Sequence, residues 1–293
     1  MVSQKLPSLH GNNKETVSND ILDHTPVRMM HLEDCQIAYR DISTGYPLVL
    51  IMGVGGTMSE WDREFLELLA SQYRLIIFDN RGIGDSASED GNCSISTIAE
   101  DTFQLIRGIG IKEAHILGYS MGSMVALDLN ENHPEIASSL ILYATAMNGK
   151  ETADRISPYV DIATPEVISV HALFPEKWIA SHPDLMTIFP PPSHPINGPA
   201  ILRQIKDTKY WKTDYETLSS INIPVFIIVG SEDVITPPDA VAEVANAISG
   251  SKMMKIPGGG HGVLYQQPEK MARCILDFLS DKVPENSGFL KRL

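Results

Sequence analysis

Three cysteines in 293 residues, Cys35, Cys93 and Cys274, are too few and too scattered to staple a secreted domain or to form a clustered zinc site. A reducing, cytoplasmic setting is expected. Positive charge is also scarce, with 23 Lys and Arg against 37 Asp and Glu and a net charge of −14. Such a chain is repelled by a phosphate backbone and gains nothing from an anionic lipid surface, so nucleic acid is not an expected partner. No uninterrupted apolar run approaches the ~20 residues of a bilayer-spanning helix. The opening Met1–Asp20 has no apolar stretch that could form the middle of a secretory signal, and residues 1–24 read as a flexible tail. There is no H-E-x-x-H pattern and no close set of Cys and His, so neither a metal nor another cofactor is expected. What the chain does have is 43% hydrophobic residues, enough to bury a large core in one domain or in a domain carrying an insertion.

Short apolar runs alternate with segments of helical period, the pattern of a mainly parallel sheet with helices on both faces. Val27–Leu32 and Gln36–Ile42 read as an antiparallel edge hairpin, because the residues between them leave no room for a crossover helix. Pro47–Met52 is a buried strand. A regular series follows: helix Glu60–Ser71, strand Arg74–Asp79, helix Ser96–Ile109, strand Ala114–Tyr119, helix Met121–Asn130 and strand Ser139–Ala144. Between Met147 and about Leu218 the rhythm breaks, and the prolines at 190, 191, 192 and 195 preclude a continuous helix or a central strand there. Strand Pro224–Gly230, helix Asp239–Ile248, strand Lys252–Ile256 and helix Pro268–Ser280 complete the chain. The expected organisation is a core of residues 25–146 and 215–293 with a helical cap inserted at 147–214.

Gly118-Tyr119-Ser120-Met121-Gly122 follows an apolar strand and opens a helix. That context makes Ser120 a candidate nucleophile, since glycines at both flanks let strand and helix approach while the hydroxyl projects outward. A serine hydroxyl is a weak nucleophile at neutral pH and needs a base, which in turn must be held in one tautomer. Gly258-Gly259-Gly260-His261-Gly262 places His261 in a flexible turn after the last strand, while Glu232 and Asp233 lie just beyond the carboxyl end of another. In open α/β sheets that edge carries the sites. The other eight histidines read as solvated or packed rings. Arg81 reads as a clasp for Asp79 or Asp85, and Asp128 as polar surface facing away from the site. Gly53-Val54-Gly55-Gly56 could suggest a phosphate cradle, but Met58 stands where its third glycine would be and no Walker lysine follows.

With these residues assembled, the chain resembles the α/β-hydrolases of the capped esterase and lipase type, from about Val27 to Leu279. The likeness includes the serine turn, Phe78-Asp79-Asn80-Arg81-Gly82-Ile83-Gly84-Asp85-Ser86, which is similar to D-x-R-G-x-G-x-S, and Gly230–Pro237, which is similar to G-x-x-D-x-x-x-P. The resemblance implies an eight-stranded, mainly parallel sheet, a cap after the sixth strand, and a triad in the order Ser120, Asp233, His261, with Asp233 preferred over Glu232. It also implies an oxyanion hole made by the backbone N–H groups of Met121 and Val54, with Gly55 the alternative to Val54. Met52 departs from the histidine common in the family at that place.

Within the insertion, Met147, Phe174, Trp178, Met186, Phe189 and Trp211 could line an apolar substrate pocket or fasten the cap to the sheet. No basic cluster there announces a phosphate or polycarboxylate. The expected reaction is hydrolysis of a small, largely uncharged or apolar carboxylic ester through an acyl-enzyme, with the ester and water as partners. Lactone, enol-lactone or carbon–carbon bond cleavage and peroxide use are the alternatives on the same triad, and a ligand receptor is the alternative outside catalysis.

Overall fold

The computed structural model describes residues 21–280 except 23, 89–90, 162–167, 186–187 and 189–196. Its strands are β1 (Arg28–His31), β2 (Cys35–Ile42), β3 (Pro47–Ile51), β4 (Arg74–Phe78), β5 (Ala87–Ser88), β6 (Ala114–Tyr119), β7 (Ala137–Tyr143), β8 (Val225–Gly230) and β9 (Lys252–Ile256). Eight lie in the order β1-β2-β4-β3-β6-β7-β8-β9, and the two-residue β5 adds a ninth by pairing with β2. The expected edge hairpin is β1 with β2, antiparallel, and β2 also runs antiparallel to β4. From β4 to β9 every pairing is parallel.

Parallel strands joined by crossovers have both faces covered, which explains why β3 reads Pro-Leu-Val-Leu-Ile without a polar alternation. Val49 and Ile51 enter one core with helices α2 (Ile95–Gly108), α3 (Met121–Asn132) and α9 (Pro238–Ala247). Leu48 and Leu50 enter the opposite core with α1 (Arg63–Ala70), α10 (Val263–Gln266) and α11 (Pro268–Leu279). The helix expected over Glu60–Ser71 is divided. A 3₁₀ turn covers Met58–Glu60, and α1 starts afresh because the Asp62 side chain accepts the Phe65 N–H at 2.9 Å. Leu22, expected within the flexible tail of residues 1–24, is instead buried in the second core, and its carbonyl accepts from Arg40 Nη1 at 2.6 Å.

Strand β3 pairs with β4 on one side and β6 on the other. The α1 crossover therefore runs one way and the α2 crossover runs back past it, which opens a crevice at the carboxyl ends of β3 and β6. Helices α4 (Gly149–Ile156), α5 (Val170–Leu173), α6 (Glu176–Ser181) and α7 (Gly198–Thr208) come between β7 and β8, before the short α8 (Tyr215–Ser219). They contribute a third apolar cluster in which Ala153, Ile156, Ala172, Ile201 and Ile205 meet Ile83 and Ile235 of the sheet unit, with Val54 packed against it.

Candidate active site

Ser120 joins β6 to α3 with φ 53° and ψ −119°, a left-handed backbone that costs a non-glycine residue on the order of 1–3 kcal/mol. Neighbouring contacts hold it there. Its N–H donates to Tyr143 O at 2.8 Å, and its carbonyl accepts from Ser123 N–H at 2.9 Å and Ser123 Oγ at 2.6 Å. The tightness of the turn explains its glycines, since a Cβ on Gly122 would lie 2.1 Å from Ile51 O and one on Gly118 2.2 Å from Gly122 O.

The turn after β9 brings His261 over this serine. Its Nε2 is 2.9 Å from Ser120 Oγ and its Nδ1 is 2.9 Å from Asp233 Oδ2. Asp233 Oδ1 accepts the N–H groups of Ile235 and Thr236, both at 2.8 Å, and Oδ2 accepts Thr236 Oγ1 at 2.8 Å. Glu232 is exposed, and its backbone N–H donates to Gly259 O at 2.8 Å. The main chain of His261 is fixed separately. Its carbonyl accepts from Tyr119 Oη at 3.1 Å and also from Tyr143 Oη, and burial holds both phenols well above their usual pKa, so they remain neutral donors. Gly262 N–H donates to Leu173 O of α5 at 2.8 Å, tying this turn to the insertion. Ser120, Asp233 and His261 are 7%, 3% and 3% exposed, so bulk water is held off the whole relay.

The loop after β3 lies against the serine, with a Cβ on Gly53 falling 3.2 Å from Ser120 Cβ. Four side chains lace this loop. Asn80 Nδ2 donates to Met52 O at 3.1 Å, Asp79 Oδ1 accepts Met58 N–H at 2.6 Å, Glu60 Oε2 accepts Thr57 N–H at 3.0 Å, and Gln204 Oε1 of α7 accepts Gly55 N–H at 2.8 Å. These replace whatever bracing a histidine at position 52 would supply. The Gly55 N–H is already engaged by Gln204. Burial pushes the Glu60 carboxyl up to about 7, with the Asp79 charge adding to the shift and the Thr57 N–H opposing it.

The six apolar candidates of the insertion separate. Phe174 lies beside the His261 turn, where a Cβ on Gly262 would fall 2.9 Å from Phe174 Cε1, and Trp178 packs on Phe174 with ring centroids 4.5 Å apart. Met147 and Trp211 belong instead to the core on the other face of the sheet. Trp211 Nε1 donates to Asp128 Oδ2 at 3.1 Å. Met186 and Phe189 lie outside the described residues.

The readings of Asp128 as surface and of Arg81 as a clasp for Asp79 or Asp85 are corrected. Asp128 is buried, because Ser96 Oγ, Asn132 Nδ2 and Trp211 Nε1 all donate to its carboxylate. Arg81 reaches past Asp79 and Asp85 to Asp101 and Asp34, with Nε–Oδ2 of 2.6 Å to Asp101 and Nη2–Oδ1 of 3.1 Å to Asp34. Asp34, Cys35 and Asp101 have metal-ligand spacing, but the Arg81 guanidinium already supplies the cation among them. Asp79 is a backbone acceptor, for Met58 N–H and for Asp85 N–H at 2.8 Å. Thr236 carried a legible signal, three residues after an acid at a turn, where hydroxyls commonly bond back. Gln204 carried none, being one polar residue on a helix 149 positions from its partner.

A mainly parallel sheet with Ser, His and Asp gathered from three loops at its carboxyl edge defines the α/β-hydrolase class. The chain belongs to that family: residues 46–198 match the model described as the alpha/beta hydrolase fold, and residues 204–288 match that of TAP-like proteins. A candidate non-heme bromoperoxidase, BpoC of Mycobacterium tuberculosis, is 30% identical over 262 residues, covering 83% of this chain and 97% of its own. Its crystal structure has a TM-score of 0.70 at 28% identity, covering 85% of this chain and 97% of that one. A candidate carbamate hydrolase, RutD of a Caulobacter species, is 25% identical over 249 residues, covering 80% and 90%. The enol-lactonase of Burkholderia xenovorans shares the fold, with a TM-score of 0.75 at 18% identity over 87% of this chain and 100% of that one. No helix among the described residues is long and apolar enough to cross a membrane.

Proposed function

We propose that the protein is a serine hydrolase that cleaves a small, largely uncharged or apolar carboxylic ester through an acyl-enzyme. The hydrogen-bonded line from Ser120 through His261 to Asp233 carries this reading. The Asp233 oxygens accept from two N–H groups and a hydroxyl, so the carboxylate serves as an acceptor for His261 Nδ1–H. Nε2 is thereby left free to take the Ser120 proton as Oγ attacks the ester carbonyl. Met121 N–H, at the start of α3, and Val54 N–H bind the oxyanion. Each such donor is worth roughly 3 kcal/mol in a site closed to water. The imidazolium then protonates the departing alkoxide, and water activated by the same Nε2 releases the acid. Residues 147–214 act as a cap, with Phe174 and Trp178 on its substrate side.

Ser120→Ala should lower turnover of aryl esters by about 10⁴-fold, and His261→Ala should abolish fluorophosphonate labelling of Ser120. Retained turnover in a pure Ser120→Ala sample refutes the assignment. The designation of the 30% identical relative favours one second reading, in which hydrogen peroxide replaces water at the deacylation step. Peracid formation with an organic acid and peroxide, measured beside ester hydrolysis, separates the two.

A further inference from the structure

Gln204 is fully buried, and the two ends of its amide have different circumstances. Oε1 accepts the Gly55 N–H at 2.8 Å, and this contact fixes the amide's orientation because only the oxygen can accept. Nε2 is a buried donor with no hydrogen-bond partner among the described residues. It is attached to the same carbon as an atom already bonded to the loop beside Ser120, and Ile201 of the same helix packs on that loop, 2.9 Å from where a Cβ on Gly55 would lie. An unsatisfied N–H at such a place is costly unless a bound molecule meets it, and native proteins seldom leave one. The insertion therefore supplies a polar atom at the edge of the reaction centre that the proposed ester cleavage does not use.

We propose that Gln204 determines specificity. Its Oε1 holds the Gly55 N–H of the Val54–Gly55 peptide, and with it the loop that presents Val54 N–H to the oxyanion, and its Nε2 donates to an oxygen acceptor carried by the substrate next to the scissile carbonyl. This rests on the serine-hydrolase reading above and narrows it. The preferred acyl group is uncharged but bears an ether, keto or hydroxyl oxygen near the carbonyl, and is not a plain hydrocarbon chain. A charged acyl group is disfavoured because the Gln204 side chain is fully buried.

The test uses two acyl groups of equal length that differ by one atom, 4-nitrophenyl methoxyacetate and 4-nitrophenyl butanoate, with each kcat/KM divided by the ester's own hydroxide rate. Wild type should prefer the methoxyacetate by about tenfold after this correction. Gln204→Met should remove the preference and also lower kcat for both esters, because Gly55 loses its acceptor. Gln204→Glu at pH 8 keeps an acceptor for Gly55 and, when ionised, has no donor, so it too should lose the preference, with a smaller fall in kcat than Gln204→Met. A corrected preference absent from wild type, or unchanged in both folded variants, overturns the proposal, and would assign Nε2 to a buried water. Hydrolysis of both esters that disappears in Ser120→Ala upholds the serine-hydrolase reading whatever the Gln204 variants do, so the two readings fail separately.

Discussion

The Thr236 hydroxyl donates to Asp233 Oδ2 at 2.8 Å and stands 3.4 Å from His261 Nδ1. The acid that orients the imidazole is thus itself oriented by a side chain three residues later on the same turn. Because a hydroxyl has one proton and here gives it to the carboxylate, its oxygen can only accept from the histidine side.

Thr236→Val keeps the shape and deletes this donor. Loss of an outer partner of a catalytic group commonly costs on the order of 10-fold or more in activity. We expect kcat/KM for an aryl ester to fall by about that factor with an unchanged KM, and Thr236→Ser to recover most of it. Steady-state kinetics on the three proteins, with circular dichroism as the check on folding, decides the matter; equal loss in the serine variant would mean that the methyl group is what counts.

Glu60 gives a pH dependence whose sign can be worked out. Burial holds its folded pKa at about 7, above the ordinary 4.5 of a glutamate, so the unfolded chain releases this proton at lower pH than the folded protein does. The stability it contributes is complete below about 4.5 and is lost as pH rises through 7. Glu60→Gln keeps an oxygen for Thr57 N–H and cannot ionise, so it should match wild type near pH 4.5 and exceed it increasingly up to pH 8. Urea midpoints at several pH values test this, and a variant that is less stable at pH 8 contradicts it.

Arg81 is a buried cation bound by two nitrogens to Asp101 at 2.6 and 2.7 Å. Removing one partner of such a pair strands the other in the interior, at a cost of roughly 3–5 kcal/mol. Arg81→Met should therefore lower the urea midpoint sharply, and the double variant Arg81→Met with Asp101→Leu should regain part of the loss. Additive losses would show that the two side chains act independently.

The sheet was legible because its strands are short apolar runs separated by helices of 3.6 period, and parallel pairing buries both faces. The serine turn was legible because backbone geometry leaves so little room at positions 118 and 122 that only glycine serves. Other features were out of reach of any local pattern. The helix at Glu60–Ser71 was drawn through Asp62 because the apolar spacing continues across it while the cap is a single side-chain bond. Asp128 and Arg81 were taken for surface or local clasps because charged side chains usually are, and their partners lie 83 and 20 residues away.

The order of strands and helices and the serine at its turn follow from the amino-acid sequence, since each depends on residues within a few positions of one another. Assigning Arg81 to Asp101, separating Trp211 from Phe174 and pairing Gln204 with Gly55 required the folded chain. Those contacts are made by side chains that only the crossing of distant segments brings within 3 Å, and bonds of that kind leave no periodic trace in a one-dimensional string.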